Sequence, residues 1–121
     1  MPLQRLQVLI IEDEAIIAMM LEDAVEEAGG EVRATVATVR EALAALAAGG
    51  VDAALLDLQL GQDSALPVAR RLQELGIPYL ICTGFGDPAL PDGLAPRQVL
   101  SKPVDFERLR QALRALGRPP A

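Results

Sequence analysis

The stretch Asp52-Ala-Ala-Leu-Leu-Asp-Leu58 decides the fold, because it is mostly apolar and too short to form a surface helix. A run of this kind is typical of a strand that is buried on both faces of a sheet. Its second carboxylate, Asp57, comes at the carboxyl end of the run. Ligands of open α/β sheets bind beyond the carboxyl ends of the strands. The stretch therefore predicts a buried strand with a candidate reactive group at its end.

Short apolar runs alternate with amphipathic segments on both sides of this stretch. The predicted strands cover residues 6–11, 31–36, 52–58 and 78–82, with a short fifth strand around 99–100. The predicted helices cover residues 14–28, 38–48 and 64–75, followed by a last helix that begins after residue 105. Five strands separated by helices, with the strands apolar on both faces, predict a parallel sheet that is covered on both sides.

The fourth crossover, between Thr83 and Val99, departs from this pattern. It contains three glycines and three prolines. Prolines remove backbone donors and clash with preceding carbonyls, so a regular helix is disfavoured. We expect a loop with at most one or two helical turns, which makes the fourth helix short or disrupted.

Composition excludes several classes of function. A length of 121 residues is typical of one domain. The net charge of −6 argues against sequence-independent DNA binding, and an aromatic content of 2% excludes a stacking platform for single-stranded nucleic acid. The chain has no histidine, so any chemistry must use carboxylates, hydroxyls and amines.

The subcellular compartment is predicted from the cysteine content and from the lack of long apolar stretches. A single cysteine, Cys82, cannot form an internal disulfide, which fits a reducing environment. No stretch reaches the roughly 18 apolar residues that span a bilayer, and the first residues do not resemble a signal peptide. We expect a cytoplasmic protein without a membrane segment.

Chemically capable side chains follow four of the five predicted strands. They are Glu12, Asp13, Asp57, Thr83 and Lys102. If the first strand is central and the third, fourth and fifth lie to one side, these side chains meet at one edge of the sheet. Each of these residues, taken singly, can be explained by a structural role, such as a negative charge that stabilises the N-terminus of a helix. Their joint occurrence, each at a strand end, favours a site.

The chemistry of this set points to phosphoryl groups. Three close carboxylates repel one another unless a cation joins them, and Mg²⁺ prefers such oxygen ligands. Lysine and threonine suit the oxygens of a phosphoryl group. Asp57 can act as a nucleophile toward phosphorus, and the small Gly84 leaves it accessible.

Four motifs together resemble the receiver domain of two-component response regulators, over residues 6–116. They are Ile10-Ile-Glu-Asp-Glu14, Leu55-Leu-Asp-Leu58, Thr83-Gly84 and Ser101-Lys-Pro103. The resemblance implies a flavodoxin-like (CheY-like) α/β fold, a doubly wound five-stranded parallel sheet of order 2-1-3-4-5. It also implies that residues 1–121 form a single receiver domain.

The resemblance assigns roles to individual residues. Asp57 would be the phosphoacceptor, and Glu12 and Asp13 would hold Mg²⁺ together with Asp57 and the backbone carbonyl of Gln59. Thr83 would hydrogen-bond the phosphoryl group.

Lys102 would pair with that phosphoryl group. The resemblance also implies that the donor is a histidine kinase or a histidine phosphotransferase. The donor histidine would come from that partner, since this chain has none. The protein would not be an enzyme beyond its own phosphorylation and slow autodephosphorylation. Its output would be contact with a downstream protein or onward phosphotransfer, without nucleic acid.

One departure concerns the switch of the family. Most receivers have Tyr or Phe three residues before the lysine, where this chain has Val99. The run Ile81-Cys-Thr-Gly-Phe-Gly86 instead resembles the FATGUY subgroup of single-domain receivers. The predicted switch residues are Val99, Gly84 and Phe85, and we expect the loop of residues 84–96 to read phosphorylation.

Two other functions use similar residues. A pseudo-receiver would be a binding module that is never phosphorylated, and the full set of site residues argues against it. A haloacid-dehalogenase-type phosphatase also uses Asp, Thr or Ser, Lys and Mg²⁺. It requires a second Asp two residues after the nucleophile, where this chain has Gln59.

Overall fold

The apolar runs form strands, and the amphipathic segments between them form helices. The computed structural model describes residues 5–84 and 93–116. The strands of the main sheet are β1 (Gln7–Ile11), β2 (Glu31–Val36), β3 (Ala53–Asp57), β4 (Tyr79–Thr83) and β5 (Gln98–Ser101). The helices are α1 (Ala15–Glu27), α2 (Val39–Ala48), α3 (Leu66–Glu74) and α4 (Phe106–Leu116). Among the described residues, no helix is both long and apolar enough to cross a membrane.

The five strands form one parallel sheet in the order β2-β1-β3-β4-β5. This is the doubly wound, flavodoxin-like arrangement, and it confirms the predicted order 2-1-3-4-5. Every residue of β3 and β4 is buried, because both strands lie inside the sheet with helices on both faces. The run of apolar residues that precedes Asp57 in β3 is explained by this double burial.

Two apolar clusters fill the space between the sheet and its helices. On one face, α1 and α4 pack against the sheet through side chains such as Leu21 and Leu109. On the other face, α2 and α3 do so through Leu46 and Leu72. Aliphatic side chains make up nearly all of both clusters, which accounts for a chain so poor in aromatic residues.

Side-chain hydrogen bonds cap the start of α2. Thr38 Oγ1 accepts a hydrogen bond from the backbone N–H of Glu41 at 3.1 Å. Glu41 Oε1 in turn accepts from the backbone N–H of Ala37 at 3.1 Å, one residue earlier than in the standard capping box. The helix therefore begins at the residue that the sequence indicates.

The largest difference from the predicted elements comes directly after β3. Gln59–Leu60 and Asp63–Ser64 pair as a short antiparallel ribbon, and α3 begins at Leu66 rather than at residue 64. The ribbon turns through Gly61, whose φ of +61° favours glycine. We name this element the ribbon. Strands of two residues are too short to leave a periodic pattern in the sequence.

The fourth crossover is non-helical where the structure describes it, at residue 84 and residues 93–97. Residues 85–92 lie outside the described residues, so the predicted loop is seen only at its two ends. The side chain of Gln73 holds the second end. Its Nε2 donates to the carbonyl of Gly93, and its Oε1 accepts from the N–H of Ala95 and the hydroxyl of Tyr79, at 2.5, 2.5 and 2.6 Å.

Candidate functional site

The carboxyl ends of β1, β3, β4 and β5 meet at one edge of the sheet, because these strands are adjacent and parallel. A cavity of about 210 Å³ lies at this edge. The predicted site residues that line it are Asp13, Asp57, Gln59, Thr83, Gly84 and Lys102. The buried Glu12 lies beside it. The structure therefore brings together every residue that the sequence proposed for the acid, hydroxyl and ammonium groups.

The ammonium group of Lys102 lies among the carboxylates of the site. Its Nζ lies 2.7 Å from Asp57 Oδ2 and 2.8 Å from Glu12 Oε1, and its side chain is only 11% exposed. Burial by itself lowers the pKa of the ammonium. The hydrogen bond with Asp57 and the ion pair with Glu12 outweigh burial and hold the pKa of Lys102 above its ordinary value. Lys102, the only lysine in the chain, is therefore a fixed positive charge at neutral pH.

Glu12 is the most buried carboxylate of the site. Its side chain is fully buried, and its Oε2 accepts a hydrogen bond from the backbone N–H of Glu14 at 3.1 Å. Burial raises the pKa of Glu12, although the ion pair with Lys102 and the hydrogen bond from the Glu14 backbone oppose this shift. The ionised form of Glu12 therefore depends on nearby positive charge.

Asp57 is held at the end of β3 through both of its carboxylate oxygens. Oδ1 accepts a hydrogen bond from the backbone N–H of Gln59 at 3.0 Å, while Oδ2 pairs with Lys102. The residue is 5% exposed yet lines the cavity. These contacts orient the carboxylate, so little motion is needed to present one oxygen to a reactant.

The acidic residues form a set that fits a hard divalent cation. One oxygen from each of Glu12, Asp13 and Asp57 lies within 4.8 Å of the others. Three carboxylates beside one ammonium leave an excess of two negative charges, and oxygen ligands are what Mg²⁺ prefers. Gln59 also lines the cavity. Metal binding by its backbone carbonyl stays a prediction.

Of the remaining predicted residues, Thr83 and Gly84 line the cavity and Val99 does not. Thr83 ends β4 and is 8% exposed, and its carbonyl accepts a hydrogen bond from the backbone N–H of Lys102 at 2.7 Å. At Gly84 an added Cβ would find no atom within 4 Å among the described residues, so this position opens on the cavity. Val99 does not line this cavity; it packs with the apolar cluster between the sheet and α2 and α3. Phe85 lies outside the described residues.

Two further residues belong to the site although sequence reasoning gave them no role. Glu14 lines the cavity, and its Oε1 lies 3.7 Å from Lys102 Nζ. Gly61, in the turn of the ribbon, donates its backbone N–H to Asp13 Oδ2 at 2.8 Å. The signal for Glu14 was its position directly after the acidic pair. Nothing local marked Gly61, because its contact depends on the ribbon.

Known proteins resemble this chain over nearly its full length. The family model of the response regulator receiver domain matches residues 8–114. The transcriptional regulatory protein TcrA of Mycobacterium tuberculosis is 35% identical over 119 residues, which cover 93% of this chain and 46% of TcrA. The chain thus spans about half the length of this curated relative.

Solved structures agree with the sequence matches. The solution structure of SdrG from Sphingomonas melonis Fr1 has a TM-score of 0.80 and 42% identity, and the match covers 93% of this chain and 97% of SdrG. The solution NMR structure of the PhyR response regulator REC domain from Erythrobacter litoralis has a TM-score of 0.75 and 30% identity, with coverage of 97% and 96%.

Proposed function

This chain belongs to the response regulator receiver domain family of two-component systems, and we propose that it accepts a phosphoryl group on Asp57 in a Mg²⁺-dependent reaction. The receiver would form a single domain over residues 1–121. The observation that carries the proposal is the pairing of Lys102 Nζ with Asp57 Oδ2 at 2.7 Å, at the wall of a cavity that a phosphoryl group can enter.

Asp57 is the nucleophile of the proposed reaction. A carboxylate oxygen forms the new bond to phosphorus while the bond between phosphorus and the donor nitrogen breaks, and the electron pair of that bond stays on the donor. The product is an acyl phosphate. Hydrogen bonds from Gln59 and Lys102 orient the carboxylate before the reaction.

Lys102 and Thr83 supply the groups that stabilise the transferred phosphoryl. The ammonium of Lys102 is already at the acceptor, so its charge can move from the carboxylate to the phosphoryl oxygens without a large displacement. Thr83 lines the cavity, and its hydroxyl would donate a hydrogen bond to a phosphoryl oxygen.

Glu12, Asp13 and Asp57 would hold the Mg²⁺ ion, with the Gln59 carbonyl as a further oxygen ligand. When bound, the ion supplies positive charge that offsets the negative charge of the phosphoryl oxygens. The excess negative charge of the residues around the cavity supports this role.

The phosphoryl donor is proposed to be a histidine kinase or a histidine phosphotransferase. This chain has no histidine, so the phosphohistidine must be brought by a partner protein. Ile16 and Met19, one turn apart at the start of α1, are 83% and 63% exposed. Exposed large apolar side chains on the helix that follows the cavity residue Glu14 support contact with a partner surface.

The proposed output is contact with a downstream protein or onward phosphotransfer. Receiver domains act in signalling. We propose self-phosphorylation and slow autodephosphorylation rather than turnover of free phosphate esters. The side-chain amide of Gln59, two residues after Asp57, donates to the carbonyl of Gly61 at 3.0 Å. An amide in that position cannot replace the general acid of a haloacid-dehalogenase-type phosphatase.

The proposal is tested by incubating the protein with Mg²⁺ and acetyl phosphate and measuring the intact mass. We expect a gain of one phosphoryl group that disappears in Asp57→Asn and persists in Asp63→Asn, an exposed carboxylate of the ribbon. No gain by the wild-type protein with this donor or with phosphoramidate would contradict the proposal and favour the pseudo-receiver.

A further inference from the structure

Glu14 lines the cavity, but its side chain does not cap the helix that follows it. The residue precedes α1 at the N-cap position, but its side chain makes no capping hydrogen bond. An acidic side chain at a helix start usually serves as a cap or as a favourable charge for the helix dipole. The side chain is 64% exposed, and it forms an ion pair with Lys102.

The contact between Glu14 and Lys102 contributes little to stability. Its oxygen–nitrogen distance is 3.7 Å, whereas Asp57 and Glu12 approach the same ammonium within 2.8 Å. A loose pair with one partner in solvent is weak and screened by salt. The contact can still affect a reactant, because Lys102 is the cation that a phosphoryl group must reach.

Glu14 also lies outside the set of carboxylates that can hold the metal. The oxygens that come within 4.8 Å of one another belong to Glu12, Asp13 and Asp57. Glu14 therefore adds a negative charge to the cavity wall without being placed to hold the ion. This charge opposes the entry of anions and competes with them for Lys102.

We propose that Glu14 is a specificity-determining residue that selects phosphodonors by charge. This inference rests on the proposed function of Asp57. Free dianionic donors such as acetyl phosphate are repelled by Glu14. This repulsion hinders a phosphohistidine on a docked protein less, because the contact between the two proteins holds the donor at the cavity. The site is thereby protected from phosphorylation by small metabolites.

The test compares Glu14→Gln with Glu26→Gln, which makes the same charge change at an exposed position near the far end of α1. Initial rates of Asp57 phosphorylation are measured at saturating Mg²⁺ with acetyl phosphate, a dianion at neutral pH, and with phosphoramidate, a monoanion. We expect Glu14→Gln to accelerate the reaction with acetyl phosphate by about 3- to 10-fold, and that with phosphoramidate by less. The gain should shrink as ionic strength rises. Glu26→Gln should change neither rate.

A second measurement separates this effect from metal binding. Mg²⁺ is titrated without a donor, and its Kd is determined for both variants. Loss of a nearby negative charge should weaken Mg²⁺ binding slightly or leave it unchanged, so a faster reaction cannot arise from tighter binding of the ion.

The outcomes distinguish the inference from the proposed function. If Asp57 is phosphorylated but Glu14→Gln changes both donors equally, or its effect is independent of salt, the inference is overturned and the proposed function stands. If neither donor labels Asp57 in the wild-type protein, the proposed function fails and the inference fails with it. A larger acceleration of the Glu14→Gln reaction with acetyl phosphate than with phosphoramidate, which shrinks as ionic strength rises, supports both.

Discussion

The backbone N–H of Gly61 donates a hydrogen bond to Asp13 Oδ2 at 2.8 Å, so the ribbon after β3 holds a carboxylate that follows β1. Gly61 has a φ of +61°, and an added Cβ would find no atom within 4 Å among the described residues. A side chain at this position would therefore meet no neighbouring atom of these residues, and its only energetic cost would come from the positive φ of the backbone.

Gly61→Ala should lower the free energy of unfolding by about 1 kcal/mol and weaken Mg²⁺ binding, because alanine at this positive φ would strain the turn that orients Asp13. Gly76→Ala is the matched control, since Gly76 has a φ of +72° and equally open space but lies after α3. Both variants should lose similar stability in urea unfolding, and only Gly61→Ala should change the Kd for Mg²⁺. Equal Kd values would show that the ribbon does not position Asp13.

Lys102→Met should destabilise the metal-free protein by about 3 kcal/mol at neutral pH. The substitution keeps the apolar stem but leaves the buried carboxylates of Asp57 and Glu12 without their cation. Arg71→Met removes the same charge from an exposed pair with Glu74 and should cost less than about 1 kcal/mol. Urea unfolding compares the two, and similar losses would mean that Lys102 does not offset the buried acids.

Magnesium should stabilise the folded protein without being required for folding. At a concentration 100 times its Kd, the ion should raise the free energy of unfolding by about 2.7 kcal/mol. Asp13→Asn should abolish most of this gain, whereas Asp23→Asn, an exposed carboxylate on α1, should leave it unchanged. Unfolding on addition of EDTA would contradict this prediction, because Lys102 already offsets part of the acidic charge.

The thiol of Cys82 should be almost unreactive in the native protein at pH 8. Burial raises the pKa of this thiol from 9.0 to about 12, and the residue is 1% exposed. We expect labelling by a thiol-specific disulfide reagent to be at least about 100-fold slower in buffer than in urea. Rapid labelling in buffer would show that β4 opens readily.

The thiol of Cys82 should also make the free energy of unfolding depend on pH in the alkaline range. Since the pKa of Cys82 is raised in the folded state, its contribution to stability is present below pH 9 and is lost as the pH rises toward about 12. Cys82→Ala should therefore show a smaller loss of unfolding free energy over this range than the wild-type protein. Identical pH profiles would contradict the assignment.

The sequence predicted the sheet because strand burial leaves a strong local pattern. The run around Asp57 is apolar on both faces, and the topology of a parallel sheet then brings Asp13, Thr83 and Lys102 to one edge. The start of α2 was also predicted, and Thr38 and Glu41, which cap it, interact only three residues apart. Residues whose roles depend on short-range geometry could thus be identified.

Other features depend on contacts that no local pattern records. The ribbon has two residues per strand, and the bond from Gly61 joins positions 48 residues apart. The contact of Glu14 with Lys102 arises from side-chain placement across two chain segments. Val99 likewise packs in an apolar cluster instead of lining the cavity, and this depends on which face of β5 its side chain occupies.

The bridge from Tyr79 through Gln73 to Ala95 has a practical consequence. Tyr79 is the only tyrosine, and the chain has no tryptophan. Fluorescence excited near 280 nm therefore comes essentially from one phenol, at the end of β4 opposite to Thr83. Its hydrogen bond shares an acceptor with the crossover that leads into β5. The molecule thus carries a native optical label, with which rearrangements of this crossover can be followed without an attached dye.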